Sequence, residues 1–466
     1  MDEQNRILTA ALRDAAVTRE VVMAAGALAE LPAVARRRVA GARLLVVADH
    51  TTYGVAGAAV IRHLAAAGLS CEDPLILSAA PRLKPRTEAA ERIAARLRES
   101  DSAAVAVGSG VVNDLVKYAS ALAGRPYVCV ATAASMDGYA ASGAALMDGS
   151  FKHTMDCAPP VAVLADLDVL AAAPTRMASW GYGDLAGKVV AGADWVLADA
   201  LGVEAINPRP YAMVQDHLHS WLDEPRLLGE RDPEAFARLL SGLLVTGFAM
   251  QAHGNSRPAS GSDHQFSHLW EMESVSIDGE PAAHGACVGV GCVAMLALYD
   301  WLLMQAISPA DIAQAQATPF DDDALEREIA SSFPDSAVAE NARSEMRAKR
   351  AAGDRADRLR RLAQQWPQLR GRLLRTLTPA ADMQRRLRAV GGAAHPAELG
   401  VSLQKLAADH RRARLIRRRY TVLDLVDDLG WLDRAVHALF AAEGFWGRQP
   451  AVQIPAGRDP AERAVH

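Results

Sequence analysis

The chain has no Cys-X-X-Cys spacing, no large excess of either charge and no uninterrupted apolar run of membrane-spanning length. Each absence excludes a class of protein. The five cysteines, Cys71, Cys129, Cys157, Cys287 and Cys292, are odd in number and scattered, which argues against a disulfide framework and for a reducing, cytoplasmic compartment. Cys287, three residues after His284, reads as small core packing. A net charge of -5 and a pI near 6.2 provide no field that would draw the chain to nucleic acid or to a membrane surface. The most apolar stretch, residues 293–307, is broken by Asp300, and the opening Met1-Asp-Glu-Gln-Asn-Arg6 is polar, unlike a secretion signal. There is no internal repeat and no long low-complexity linker. A small-molecule enzyme, as a monomer or a homo-oligomer, fits these limits.

Within them, 466 residues, half of them apolar, are too many for one ordinary core and imply two domains. A helical, Arg-containing lead-in ends at Arg38. The run Arg43-Leu-Leu-Val-Val-Ala-Asp49 then has the continuous apolar character of a parallel strand buried on both faces. A Gly/Ala-rich helix over residues 54–67, a strand over 74–78, an amphipathic helix over 87–99 and strands over 103–107, 126–132 and 160–166 continue the alternation, with a hairpin around residues 148–150. This predicts a doubly wound α/β domain over residues 1–173. From residue 174 nearly every long segment has helical periodicity: 177–201, 211–222, 233–252, 268–275, 284–305, 322–377, 383–390, 396–415 and 422–439. A helical domain is expected over 174–447, followed by a Pro-rich, flexible tail over 448–466. The Arg and Glu residues of 322–377 are interspersed, as on a solvated helix surface.

The third strand of the alternation runs into Gly108-Ser-Gly-Val-Val-Asn-Asp-Leu-Val-Lys117, where small residues permit close approach of the backbone and a helix begins at once. Free amides at a helix start suit the pyrophosphate of a dinucleotide. The next strand ends in a second small-polar loop, Ala133-Ala-Ser-Met-Asp-Gly-Tyr-Ala-Ala-Ser142. Two successive strand ends with such loops mark the crevice of an open α/β sheet.

Three motifs further on carry possible metal donors. Asp184 lies in Gly181-Tyr-Gly-Asp-Leu-Ala-Gly-Lys188, His264 in Ser260-Gly-Ser-Asp-His-Gln-Phe-Ser-His268 and His284 in Ala283-His-Gly-Ala-Cys287. Taken singly, each is more often a hydrogen-bonded core residue than a ligand. Together, one carboxylate and two imidazoles form a borderline set that suits zinc, tolerates iron or nickel and leaves positions open for a substrate oxygen. Asp184 and Lys188 share a helix face, as do His264 and His268 if that segment is helical. Gln265 stands where a zinc protease of the HExxH type needs its glutamate, so peptide hydrolysis is not expected.

With these motifs in order, the chain resembles the sn-glycerol-1-phosphate dehydrogenase family, within the superfamily of dehydroquinate synthases and iron-containing alcohol dehydrogenases. The motifs that carry the resemblance are the Gly108 turn, Ser135-Met-Asp-Gly-Tyr139, Gly183-Asp-Leu-Ala-Gly-Lys188, Gly261-Ser-Asp-His-Gln-Phe-Ser-His268 and His284-Gly285. The resemblance implies a nucleotide domain, a helical domain and one divalent metal between them. It also implies reversible reduction of dihydroxyacetone phosphate with NADH or NADPH, a step of phospholipid biosynthesis. Residue by residue, it implies Asp184, His264 and His284 as ligands and Asp137, Asp184 and His268 at the substrate. For the nucleotide it implies Gly108, Ser109, Gly110, Val111, Val112, Thr132, Ala133, Ala134 and Ser135. Ala141 departs from the family, which has a nucleotide-contacting serine there, and Gly285-Ala-Cys287 departs around His284.

Such a metal would polarise the substrate carbonyl, and His268 or metal-bound water would supply the proton. Lys188 reads either as a cation for the substrate phosphate or as a structural lysine. Asp49, at the carboxyl end of its strand, reads either as an acceptor for the adenosine ribose, which would favour NADH, or as a helix cap. A dehydroquinate-synthase-like cyclase, a general polyol dehydrogenase and a catalytically silent nucleotide-binding module are the competing readings.

Overall fold

The computed structural model describes residues 1–80, 83–148, 151–277, 279–319 and 321–450. Six strands form one parallel sheet: β1 (Glu20–Ala24), β2 (Arg43–Asp49), β3 (Leu75–Leu77), β4 (Ser102–Gly108), β5 (Tyr127–Ala131) and, after the hairpin β6 (Ala144–Asp148) and β7 (Phe151–Met155), β8 (Ala162–Asp166). Their order is β1-β8-β5-β4-β2-β3. The runs of Val and Ala explain why. Along β4 every residue is buried, and the alternation of a strand sends Ala104 and Ala106 into one apolar layer and Ala103, Val105 and Val107 into the other.

Strand β1 was not expected. Its short Val21-Val-Met23 run lies between arginines and alanines that read as helix, and the strand exists because β8 offers it an edge, pairing Glu20 with Ala162 through Ala24 with Asp166. The helix expected over 54–67 begins earlier and is irregular: His50–Thr52, a π-turn at Tyr53–Gly57 and Ala58–Ala66. The opening helix Asp2–Leu12 leaves the sheet. Gln4 there accepts the Trp221 indole N–H at 3.1 Å, within the helical part of the chain.

Beyond β8 the elements are helical apart from a two-residue pairing of Ser276–Ile277 with Glu280–Pro281, among the described residues. The segment expected as one helix over 211–222 is two, Pro208–Gln215 and Leu218–Leu222. Two helices, Pro233–His253 and His284–Leu303, prove long and apolar enough to cross a membrane, contrary to the reading of the sequence; 89% and 83% of their apolar windows are buried inside the protein. Residues 451–466, most of the expected tail, and the hairpin tip 149–150 lie outside the described residues.

Candidate metal centre and the loops around it

Three helices converge on one point. Asp184 lies within Thr175–Ala200, His264 in the first turn of Ser262–Met272, and His284 opens His284–Leu303; their donor atoms all lie within 4.8 Å of one another. The approach requires glycine. A Cβ on Gly183 would stand 2.2 Å from the Gly285 carbonyl oxygen, and one on Gly285 would stand 1.9 Å from that of Trp180.

The helix of His264 starts at Ser262, well before the expected residue 268, because a distant carboxylate holds its first turn. Asp194 Oδ2 accepts from the Ser262 amide at 2.7 Å and the Ser262 hydroxyl at 2.8 Å. The other oxygen of Asp194 accepts from Tyr299 Oη at 2.7 Å and from the Val422 amide at 2.9 Å. A start fixed in this way leaves no local signal, since Pro258 to Gly261 reads as a loop.

Each of the three donors is held from behind. Asp184 Oδ1 accepts from Lys188 Nζ at 2.7 Å, and its Oδ2 accepts from the Asp137 amide at 2.9 Å. Burial alone would raise the Asp184 carboxyl, but the charges of Lys188, His284 and His264 hold it at about 2. Lys188 is 0% exposed and also pairs with Asp137 Oδ2 at 2.7 Å. Its reading as a cation for the substrate phosphate is therefore corrected: a lysine buried between two carboxylates has no face to offer a phosphate. Asp137 is raised by burial and then by the Asp184 charge, with Lys188 opposing both.

His264 Nδ1 lies 2.5 Å from Asp263 Oδ2, and its Nε2 lies 3.7 Å from Asp184 Oδ1. His284 Nδ1 lies 2.5 Å from Glu271 Oε1 and 3.2 Å from Ser267 Oγ. With Nδ1–H directed at an acid, each ring presents its Nε2 lone pair to the centre. Burial, then the charges of Lys188 and His284, drives the His264 imidazole well below its ordinary value, so it is neutral. A carboxylate and two such imidazoles are donors of the kind a divalent transition metal takes. Asp263 and Glu271 were not singled out in the sequence; the acid next to His264 and the acid seven residues beyond it on the same helix were the available signals. His268 stands beside the trio, with 30% of its side chain exposed and its ring centre 6.0 Å from those of both His264 and His284.

The sheet side abuts this centre through the Asp137 amide, in the loop leaving β5. Gly108 ends β4 and the helix Gly110–Ala123 follows with Ser109 as its N-cap, whose side chain makes no capping bond. The first-turn amides of Gly110, Val111 and Val112 thus have no acceptor within the helix. Thr132, Ala133, Ala134 and Ser135 form the buried start of the adjoining loop, tied to β4 by the Thr132 amide on the Gly108 carbonyl at 3.2 Å. Asp49 caps the next helix: its Oδ1 accepts from the Thr52 amide at 2.7 Å, and the Thr52 hydroxyl accepts from the Asp49 amide at 3.1 Å.

Lys117 is a further residue the sequence reading passed over. It is 0% exposed, and its Nζ donates to the carbonyls of Gly138 at 2.7 Å, Ala141 at 3.0 Å and Gly143 at 3.0 Å. A lone lysine among the buried Leu115, Val116 and Ala119 was its available signal. At Ala141, where the family pattern has serine, it is therefore the backbone carbonyl that fixes the loop.

Residues 22–174 match the family model described as iron-containing alcohol dehydrogenase. The glycerol-1-phosphate dehydrogenase (NAD(P)+) of Methanosarcina barkeri is 34% identical over 283 residues, which are 60% of this chain and 76% of that protein. Its namesake from Pyrococcus horikoshii is 30% identical over 282 residues, 60% of this chain and 78% of that protein. The chain spans 64% of the length of the relative of the same name from Halalkalibacterium halodurans, at 32% identity over 54% of its own length. Among solved structures, a probable glycerol dehydrogenase from Sinorhizobium meliloti shares the fold, with a TM-score of 0.56 at 17% identity over 90% of this chain and 98% of that one. An iron-containing alcohol dehydrogenase from Corynebacterium glutamicum does likewise, with a TM-score of 0.55 at 16% identity over 89% of this chain and 95% of that one.

Proposed function

The chain belongs to the glycerol-1-phosphate dehydrogenase family, and from that premise we propose that it interconverts dihydroxyacetone phosphate and sn-glycerol 1-phosphate with NAD(H) or NADP(H). The observation that carries this reading is the contact between the Asp137 amide and Asp184 at 2.9 Å, which joins the loop at the nucleotide edge of the sheet to the cluster of metal donors. Asp184, His264 and His284 would hold one divalent ion, with zinc the first candidate and nickel or iron next. Bound there, the metal would polarise a carbonyl and the nicotinamide would supply hydride.

The remaining work belongs to the chain. Asp263 and Glu271 keep the two imidazoles aimed, and Lys188 offsets the charge of Asp137 and Asp184. Asp137 and His268 border the substrate, and His268 is the side chain placed to pass a proton at the solvent side. The Gly110 to Val112 amides bind the pyrophosphate, with Gly108, Ser109 and the Thr132–Ser135 loop shaping the crevice and Asp49 at the adenosine end. This divides the chain into a nucleotide domain over 1–173 and a metal and substrate domain over 174–447. Its five free cysteines fit a cytoplasmic setting.

The test is NADH oxidation with dihydroxyacetone phosphate, before and after exhaustive chelation and with zinc restored. Turnover that vanishes and returns supports the reading; turnover in a verified metal-free preparation refutes the metal, and no turnover with metal present refutes the reaction. His264→Ala should lose metal and rate together, whereas His268→Ala should keep its metal and lose rate.

A further inference from the structure

With Lys188 enclosed between Asp137 and Asp184, the substrate proposed above still requires a cation at the end that carries its phosphate. The chain after the helix Leu403–Arg412 supplies one. It runs back along the helix Ser262–Met272 in the opposite sense, anchored at both ends. At the far end, Arg412 Nη2 binds Glu273 Oε1 at 2.5 Å. At the near end, the Arg419 carbonyl accepts from Gln265 Nε2 at 3.2 Å, and Arg419 Nη1 donates to the Ser260 carbonyl at 2.6 Å. Arg417 lies between these anchors in the chain.

Arg417 is extended, with φ −146° and ψ 138°, a conformation in which neighbouring side chains alternate from one side of the segment to the other. Arg418 turns away to Glu345, donating from its amide at 2.7 Å and from Nη2 at 2.6 Å. Arg419 reaches the start of the metal helix, on the side away from the Arg418–Glu345 pair. Arg417 is exposed and makes no ion pair with a described residue, the neighbouring Glu345 being taken by Arg418. The charge of Arg417 bears both on the His268 imidazole, which is lowered first by burial, and on the Glu345 carboxylate that Arg418 pairs with.

We infer that Arg417 receives the phosphate of the substrate at the His268 side of the metal centre, an assignment that rests on the dehydrogenase reading above. A guanidinium offers a phosphate two parallel N–H donors, and the locked neighbours on either side hold its backbone in place. Arg417 would then separate the phosphorylated ketone from its unphosphorylated counterpart.

The experiment compares kcat/KM for dihydroxyacetone phosphate with kcat/KM for dihydroxyacetone, using the full zinc-loaded chain. In Arg417→Met the ratio should fall about 100-fold, chiefly through KM for the phosphorylated substrate, and Arg417→Lys should recover about tenfold of it. An unchanged ratio, or an equal loss on both substrates, overturns the assignment. Should the unaltered protein oxidise no NADH with dihydroxyacetone phosphate, the dehydrogenase reading fails by itself, and calorimetric titration of inorganic phosphate then decides on Arg417. Binding that weakens in Arg417→Met upholds the anion site; equal binding in both proteins, or none in either, overturns it.

Discussion

Gly285→Ala should remove metal from a protein that still folds. The new Cβ would stand 1.9 Å from the Trp180 carbonyl oxygen, where a carbon and an oxygen need about 3.3 Å, so the start of the helix His284–Leu303 must retreat by about 1.4 Å. The atom it meets is a backbone carbonyl in the second turn of the helix Thr175–Ala200, which cannot rotate away. Residue 284 is the neighbour, and its imidazole would be carried off a site whose three donors now lie within 4.8 Å of one another. Metal–ligand distances tolerate only about 0.2 Å, so the site would keep two donors of three. We expect metal affinity to fall by at least about 100-fold, roughly 2.7 kcal/mol, with an overpacking cost to stability of about 1–3 kcal/mol. Competition against a chelator of known affinity reads the first and denaturant unfolding of the metal-free protein the second. Gly229→Ala is the control, because nothing lies within 4 Å of its Cβ. If Gly285→Ala bound metal within threefold of the unaltered protein, the argument that a glycine contact sets the position of His284 would be wrong.

Lys117→Met should strip three carbonyls, one buried and two half-buried, of a shared buried donor and cost about 3–5 kcal/mol, with a raised KM for the nucleotide; an unchanged KM in a destabilised protein would show that the loop does not depend on that anchor. Asp49→Asn should shift the ratio of NADH to NADPH efficiencies about tenfold toward NADPH, by loss of charge at the sheet edge. An unchanged ratio with a lower melting temperature would leave Asp49 as the cap of Thr52 alone. The buried His410 is lowered to about 4 by burial, its ring edge-on to those of Phe266 and Phe440. The folded state then resists a proton that the unfolded chain takes up below pH 6.5, so stability is full above that pH and falls as the pH drops toward 4. The loss by pH 5 is about 2 kcal/mol, and His410→Phe should remove most of it; identical pH slopes by denaturant unfolding would refute this.

What the sequence disclosed depended on how local the cause was. Strands β2, β4, β5 and β8 announce themselves because both faces of the sheet are covered, so their central positions are apolar without a break. Strand β1 stays hidden because its pairing with β8, not its own composition, makes it a strand. Asp184, His264 and His284 could be picked out as donor types in motifs, and the i,i+4 spacing put Lys188 beside Asp184. The role of Lys188 could not be read, because its second partner, Asp137, comes from another layer of the fold. Asp263 and Glu271 sat within reach of the motifs, but only the folded geometry shows which nitrogen of which histidine each one holds.

The start of the helix that bears His264 is fixed through Asp194, whose other oxygen is shared by Tyr299 and the Val422 amide. All three donor residues precede position 285, yet one of the bonds that completes this junction comes from residue 422. A nascent chain that already carries Asp184, His264 and His284 thus still lacks part of the scaffold that aligns them, which sets an order on maturation: metal capture should follow arrival of the C-terminal helices. For the same reason those helices are not a removable appendage, and a chain cut before Val422 would leave the Asp194 carboxylate short of a donor deep in the core.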